Sequence, residues 1–168
     1  MLCFETAIGC CGLRWSDAGI SGVLLPGSHA LSADAGARRA DVPARVRDAA
    51  DGIVALLAGE RRDLRELTLD EQRIDDFRRA VYAATRAIGP GETATYGEVA
   101  RTIGQPGAAR AVGAALGANP FPIVVPCHRV LAADGALHGF SAPGGIATKR
   151  RMLEIERAPG FTQAALFS

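Results

Sequence analysis

The sequence predicts an α+β fold, in which a small N-terminal unit of sheet and helix is followed by a mainly helical domain. Three observations carry this prediction. Apolar runs separated by turn residues occupy the first 25 residues, as expected for short strands. Helical apolar spacing dominates the second half, where two short helices flank a glycine-containing turn. Hydrophobic residues also make up 48% of the 168 positions, which is enough to form a full core.

The N-terminal unit begins with a predicted sheet. Residues 2–7 and 10–25 are expected to form strands, and the turn signal at 17–19 (Asp-Ala-Gly) divides the second run. Residues 28–41 are rich in Ala, Arg and Asp without a clear period. That composition predicts an exposed loop.

A helix and a further strand are expected to complete this unit. Pro43 suits the first turn of a helix, and a helical apolar stripe then stops at Gly59. Residues 61–69 alternate only roughly and predict another strand. We therefore expect an N-terminal domain of structural role over residues 1–70 and a second domain, which carries the chemistry, over 75–168.

The second half opens with an amphipathic helix. Its apolar residues fall at i, i+4, i+7 and i+11 and form one face: Phe77, Val81, Ala84 and Ile88. The sequence Gly-Pro-Gly at 89–91 ends this helix.

A helix-turn-helix is predicted next. Residues 95–98 (Thr-Tyr-Gly-Glu) fit a capping box that begins a helix running to about Thr102. After a turn at 104–107, a second helix covers 108–118. This arrangement is used on DNA, although helical hairpins also occur in plain protein cores.

The second of these helices consists almost entirely of Ala and Gly, and Arg110 is its only long polar side chain. Such a helix can approach another surface closely, either in a protein core with Arg110 reaching solvent or in a DNA groove. Reading bases in the major groove would need several Arg, Asn or Gln side chains. Any DNA binding is therefore expected to be largely independent of sequence.

A candidate nucleophile lies in residues 126–130 (Pro-Cys-His-Arg-Val), directly after an apolar run at 121–125 that predicts a buried strand. We expect this candidate active-site cysteine, Cys127, in a turn at the sheet edge. A thiol reacts as thiolate, so it needs a base such as His128 and a carboxylate that orients the base. A helix predicted from Thr148 supplies two such carboxylates, Glu154 and Glu156. The alternative is that Cys127 only packs as a small apolar residue.

Charge and cysteine content exclude several classes of function. No apolar run is long enough to span a bilayer, and residues 1–12 lack a signal-peptide pattern, so we expect a cytoplasmic protein with reduced cysteines. Neither CxxC nor HxxxH spacing occurs, which argues against a metal site. The net charge is −2 over residues 1–74 and +3 over 75–168, a mild preference for a polyanion in the second half.

Several sequence elements together resemble the O6-alkylguanine-DNA alkyltransferase family, the methylated-DNA–protein-cysteine methyltransferases. The resemblance covers essentially all of residues 75–168 and rests on these elements: 96–100 (Tyr-Gly-Glu-Val-Ala), 109–113 (Ala-Arg-Ala-Val-Gly), 119–120 (Asn-Pro), the complete 126–130 motif and 149–156. The N-terminal half matches only in length and in its α+β layout.

The resemblance implies a role for each matching residue. Cys127 would accept the alkyl group by in-line displacement, His128 would act as base through a water, and Glu156 would orient His128. Asn119 would brace the turn that carries the thiol. Tyr96 would give its proton to the guanine ring. Arg110 would fill the gap in the base stack while the damaged nucleotide is rotated out.

The resemblance also implies contact surfaces. DNA would be contacted by a set on and near the two helices: Thr95, Tyr96, Ala109, Arg110, Ala111, Gly113 and Arg129. The base pocket would be lined by Val130, Phe140, Ser141 and Lys149. The pocket loop at 139–145 departs from the family pattern, because Ala142-Pro143 are extra. The N-terminal cysteines do not align with the zinc ligands of mammalian members, so neither a metal nor a cofactor is expected.

The function that the resemblance implies is direct reversal of O6-alkylguanine damage, and of O4-alkylthymine damage, in double-stranded DNA. The protein would act as a monomer, and no membrane partner is expected. The product would be a thioether that no residue here can reverse, so each molecule would act once. Two alternatives stay open. A non-catalytic DNA-binding regulator would be indifferent to Cys127→Ala, and a thiol hydrolase would release product without lasting modification.

Overall fold

The computed structural model of the chain describes residues 1–33, 36–137 and 144–162. It begins with an antiparallel sheet of three strands in the order β1 (Leu2–Thr6), β2 (Gly9–Ser16) and β3 (Gly19–Leu24). The predicted sheet is therefore confirmed. Gly19 has φ 142° and lies so close to the neighbouring chain that a Cβ there would be 2.5 Å from the carbonyl oxygen of Thr68. Only glycine suits this turn.

Two helices follow the sheet. The short helix α1 (His29–Ala33) and a 3₁₀ turn (Arg39–Asp41) occupy the stretch predicted as a loop, so that prediction is wrong for these residues. The predicted helix after Pro43 is confirmed as α2 (Ala44–Leu57), with Pro43 at its N-cap. Its buried face packs on β1 and β2 and closes the first core.

Two further strand predictions are wrong. Within 61–69 only Leu69 forms a bridge, to Ile20 at the edge of β3. The 121–125 run is buried as expected, but it folds into a turn in which Ile123 has φ 74° and Pro122 bridges Val125. Apolar composition identified burial, whereas a strand also requires a neighbouring edge along its length.

The helical half follows the predicted order. Helix α3 (Asp76–Arg86) is capped by the side chain of Asp75, which accepts a hydrogen bond from the backbone N–H of Arg78. Helices α4 (Tyr96–Thr102) and α5 (Ala109–Gly117) form the predicted helix-turn-helix. The capping box is confirmed, since Thr95 Oγ1 accepts from Glu98 N–H and Glu98 accepts from Thr95 N–H.

The last elements are a two-residue strand and a helix. Strand β5 (Val130–Leu131) pairs in parallel with β4 (Ala94–Thr95). Helix α6 covers Gly145–Ile155, so it begins before the predicted Thr148 and places Glu156 just beyond its end.

The buried side chains form two main clusters. The first joins the sheet to α2 and also takes in Ile123, Val124 and Met152 from the second half. The second lies under the helix-turn-helix and contains Cys127. Residues next to the cysteine thus lie in both cores, which fixes the turn that carries it. No helix within the described ranges is long and apolar enough to cross a membrane.

Candidate functional site

Cys127 begins a 3₁₀ turn, Cys127–Arg129, that follows the buried bend. Its backbone N–H donates to the carbonyl of Val125 at 2.7 Å, and the N–H of Arg129 donates to Pro126 at 2.9 Å. Pro126 itself has no N–H, which suits a position where the chain changes direction. The turn holds the thiol inside the protein, where its residue is 9% exposed.

Asn119 braces this bend from the end of α5. Its side-chain nitrogen donates to the carbonyl of Val125 at 3.0 Å, and its side-chain oxygen accepts from the N–H of Phe121 at 2.9 Å. Both functions of the amide are therefore used across the segment before Cys127. Asn119 thus lies across the bend before the thiol, and its bracing role in the reaction stays a prediction.

The β4–β5 pair brings the helix-turn-helix to the thiol. Ala94 pairs with Val130 and Thr95 with Leu131, so α4 starts beside the strand that leaves the 3₁₀ turn. The ring of Tyr96, the first residue of α4, lies beside Gly113 of α5, where a Cβ would be 3.8 Å from it. Sequence reasoning did not find this short parallel pairing, because two residues carry too little pattern.

The thiol of Cys127 is protonated at rest. Burial raises its pKa, while a hydrogen bond with Asn119 and the charge of Lys149 act in the opposite direction. Because burial outweighs the other two, the site needs a base at the moment of reaction.

His128, Arg129 and Glu156 form a buried network behind the thiol. His128 Nε2 lies 2.9 Å from Glu156 Oε1. Arg129 donates from Nη2 to the same oxygen at 2.8 Å and from Nε to Oε2 at 2.9 Å. Its Nη1 donates to the carbonyl of Ile88 at 2.6 Å. Glu156, which the family resemblance favoured over Glu154, is thus the carboxylate that contacts His128.

The protonation states in this network follow from burial and charge. Burial acts to raise the pKa of Glu156, but the contacts with His128 and Arg129 prevail and lower it to about 2. Burial lowers the pKa of His128, so its ring is neutral at pH 7. Since an ionised carboxylate only accepts, Nε2 carries the ring proton. Nδ1 is then a basic lone pair, and it is buried without a partner among the described residues.

Lys149 and Tyr96 lie close to each other beside the thiol. The Nζ of Lys149 is buried, donates to the carbonyl of Val130 at 2.7 Å and lies 5.9 Å from the centre of the Tyr96 ring. Burial lowers the pKa of Lys149, and the neighbouring Cys127 acts against this shift. Burial also raises the pKa of Tyr96, so its hydroxyl keeps its proton at neutral pH.

The outer face of α5 is open to solvent. Arg110 and Ala111 are exposed, and Ala109 and Gly113 are half-buried. The helix therefore presents a surface of small residues from which one guanidinium projects, as the sequence indicates.

One predicted DNA contact needs correction. Arg129 is 5% exposed, and its guanidinium is engaged by Glu156 and Ile88, so it lies inside the network and not on the surface. Phe140 and Ser141, predicted in the base pocket, lie outside the described residues, as does the Ala142-Pro143 insertion. Across the part of the chain that the structure describes, no group of three or more His, Cys, Asp or Glu could hold a metal ion.

Sequence reasoning missed Tyr82. This buried residue donates its hydroxyl to the carbonyl oxygen of Ala115 at 2.8 Å, near the end of α5. Its ring meets Phe121 edge-on at 6.4 Å. The sequence indicated only a position beside the apolar face of α3, and the hydroxyl of a buried tyrosine was the available signal that a polar partner exists.

Comparison with known proteins shows which proteins this chain is similar to. Residues 76–158 match the family model described as "6-O-methylguanine DNA methyltransferase, DNA binding domain". A methylated-DNA–protein-cysteine methyltransferase of Mycobacterium bovis is 46% identical over 125 residues, which cover 74% of this chain and 73% of that protein. The crystal structure of Mycobacterium tuberculosis OGT in complex with DNA superposes with a TM-score of 0.75 at 37% identity, covering 95% of this chain and 94% of that one.

Proposed function

This chain belongs to the methylated-DNA–protein-cysteine methyltransferase family, and we propose that it moves an alkyl group from O6 of guanine in DNA onto Cys127. The assignment to Cys127 rests on one observation. Its buried thiol lies beside the neutral His128, whose Nδ1 has no hydrogen-bond partner among the described residues. Such a pair supplies a nucleophile and its base without an external cofactor.

The chemistry proceeds in one displacement. His128 takes the thiol proton through a water and becomes an imidazolium. Glu156, which contacts Nε2, stabilises this positive charge. The sulfur lone pair forms a bond to the alkyl carbon while the carbon–oxygen bond breaks. The electron pair of that bond goes to the purine, and Tyr96 donates its proton to the ring so that guanine leaves as a neutral base.

Access to the lesion requires the damaged nucleotide to leave the base stack. Unstacking costs a few kcal/mol and least for a base that mispairs, which favours alkylated guanine. The face of α5 that consists of small residues lies against the duplex. This surface includes Thr95, Ala109, Ala111 and Gly113. Arg110 occupies the gap that the damaged nucleotide leaves in the base stack. Base reading by a single arginine is minimal, so binding is largely independent of sequence.

The reaction ends with a thioether on Cys127. A carbon–sulfur bond of this kind has no leaving group that the neighbouring residues can activate, so each molecule acts once. The same displacement suits O4-alkylthymine, whose alkylated oxygen is also conjugated to a ring that accepts a proton. Val130 and Lys149 line the pocket that receives the alkylated base.

We propose the remaining features of the protein on the basis of the family resemblance. Residues 1–70 support the fold, and 75–168 carry DNA binding and chemistry. The protein works as a monomer in the cytoplasm. The Mycobacterium tuberculosis relative in complex with DNA supports DNA as the partner.

Intact-protein mass spectrometry tests the proposal. The protein is mixed with a slight excess of duplex DNA that contains one O6-methylguanine. We expect a gain of one methyl group, on the peptide that contains Cys127. Cys127→Ala should abolish the gain, whereas Cys10→Ala, which removes a half-buried thiol elsewhere, should not.

Three outcomes would contradict the assignment. Loss of the lesion with an unmodified protein would favour a turnover hydrolase. Binding without loss of the lesion would favour a regulator. Methylation that persists in Cys127→Ala would place the nucleophile elsewhere.

A further inference from the structure

A cavity lies behind the turn that carries Cys127. It has a volume of about 260 Å³, just below the range typical of drug-sized ligands. Its walls come from Leu56 of α2 and from three segments: residues 61–65 after α2, residues 86–92 at the end of α3, and residues 123–129 before and within the 3₁₀ turn. None of the described residues that line it belongs to α4 or α5.

Positive charge dominates this cavity. The described residues that line it include five arginines and two acidic residues: Arg61, Arg62, Arg65, Arg86 and Arg129 against Asp63 and Glu92. Asp63 is paired with Arg65 at 2.9 Å, and Arg129 is held by Glu156. Arg61 and Arg62 are exposed, and no carboxylate of the described residues lies within salt-bridge distance of either. Two guanidinium groups are therefore available to an anion.

Arg86 adds a buried donor in need of an acceptor. Its Nη2 donates to the carbonyls of Leu64, Arg65 and Leu67 at 3.0, 3.0 and 2.8 Å. Its Nε is buried and has no partner among the described residues. A buried donor without an acceptor costs about 1–3 kcal/mol, so native proteins seldom leave one unmade. Burial also lowers the pKa of Arg86, and the charges of Glu71 and Asp63 offset this shift only in part.

We propose that this arginine cavity binds a phosphate group. Guanidinium groups present donors in a planar fork that matches phosphate oxygens, and three of them (Arg61, Arg62 and Arg86) have donors available. The phosphate is either a free ion or part of a DNA backbone, since both present the same oxygens. Bound there, it joins the 61–65 segment to the end of α3 and to the turn that carries Cys127.

The first arm of the test uses inorganic phosphate. Isothermal titration and thermal unfolding are run in sodium phosphate and in sodium chloride of equal ionic strength. We expect phosphate to raise Tm above its value in chloride, because a ligand that binds only the folded state stabilises it. The double variant Arg61→Gln/Arg62→Gln should weaken phosphate binding at least about tenfold, a loss of about 1.4 kcal/mol.

The second arm identifies the source of the phosphate with an unmodified DNA duplex. The logarithm of the binding constant falls with the logarithm of salt concentration by about 0.9 per phosphate neutralised. If the cavity holds a backbone phosphate, the double variant lowers this slope by about 0.9. If the slope is unchanged while phosphate binding is lost, the occupant is free phosphate.

A matched control removes the same charge elsewhere. Arg38→Gln/Arg151→Gln deletes two exposed arginines that do not line the cavity and should leave phosphate binding intact. The proposal is overturned if phosphate and chloride give the same Tm and the salt slope is unchanged in the Arg61→Gln/Arg62→Gln variant. It is also overturned if both double variants lose phosphate binding equally.

Discussion

Replacing Glu156 by glutamine tests the buried network at its centre. The substitution keeps the shape of the side chain but removes its charge and turns one acceptor oxygen into a donor. Arg129, whose side chain is 6% exposed, then lacks its counter-ion. The amide nitrogen of the new glutamine, which is itself a donor, also faces donor groups that previously bonded to a carboxylate oxygen of Glu156. The variant therefore breaks two charge-assisted hydrogen bonds at once.

The structure sets the size of the effect on stability. Glu156 is 2% exposed at its side chain, so solvent screens its contacts little. The lowering of its pKa from 4.5 to about 2 means that the charged form of Glu156 stabilises the folded state. Breaking a buried ion pair by removing one partner costs about 3–5 kcal/mol. We expect Glu156→Gln to lower the free energy of unfolding at pH 7 by about that amount.

The effect depends on pH in a defined direction. Because the pKa of Glu156 is depressed in the folded state, its contribution is complete above the unfolded value of 4.5 and is lost as the pH falls towards 2. The difference in stability between the natural protein and Glu156→Gln should therefore be largest above pH 5 and shrink in acid.

The same substitution should slow alkyl transfer. A glutamine amide can donate to Nε2 of His128, which moves the ring proton to Nδ1 and removes the basic lone pair that faces away from Glu156. We expect a fall of about 10²–10⁴-fold in the rate of methyl transfer, the range that a general base contributes.

Urea denaturation followed by circular dichroism measures stability at each pH, and mass spectrometry of Cys127 measures the rate. Glu154→Gln is the matched control, since it makes the same chemical change on α6 outside the network. It should change stability by less than about 0.5 kcal/mol. Equal stability and equal rates in the Glu156 and Glu154 variants would refute the reasoning.

Three further predictions concern the helices. Tyr82→Phe leaves the Ala115 carbonyl without its donor and should cost about 1–3 kcal/mol in urea denaturation; a change below about 0.5 kcal/mol would mean that water replaces the hydroxyl. Asn119→Ala removes the brace on Val125 and should slow methylation of the thiol at least about tenfold in single-turnover assays, whereas an unchanged rate would show that the bend holds itself. Arg110→Ala should slow repair of a duplex lesion about tenfold more than repair of the same lesion in single-stranded DNA; equal effects on both substrates would argue against gap filling.

Most local signals in the sequence were read correctly, although residues 28–41 contain a short helix and a 3₁₀ turn where a loop was predicted. The three N-terminal strands, the capping box at Thr95 and the helix-turn-helix all appear where their patterns predict them. These signals act between residues a few positions apart, through side-chain alternation, turn residues and cap hydrogen bonds. They therefore survive without knowledge of the rest of the chain.

The predictions that failed concern two strands and one surface residue. The 61–69 segment finds only one bridge at the sheet edge, and the 121–125 run bends at Ile123 with Asn119 across it. Arg129 turned inward because a carboxylate 27 residues away meets it. The partners of Leu69 and Arg129 lie far away in sequence, so local patterns do not record those contacts.

The sequence by itself, through its resemblance to one family, pointed to Cys127, His128 and Glu156 as the residues of the proposed chemistry. Only the tertiary structure decided what state they are in. A buried thiol that keeps its proton, a neutral imidazole and a carboxylate with a pKa of about 2 result from burial and from the contact between His128 and Glu156, 28 residues apart. Desolvation and charge pairing act through space, and the fold alone sets those distances.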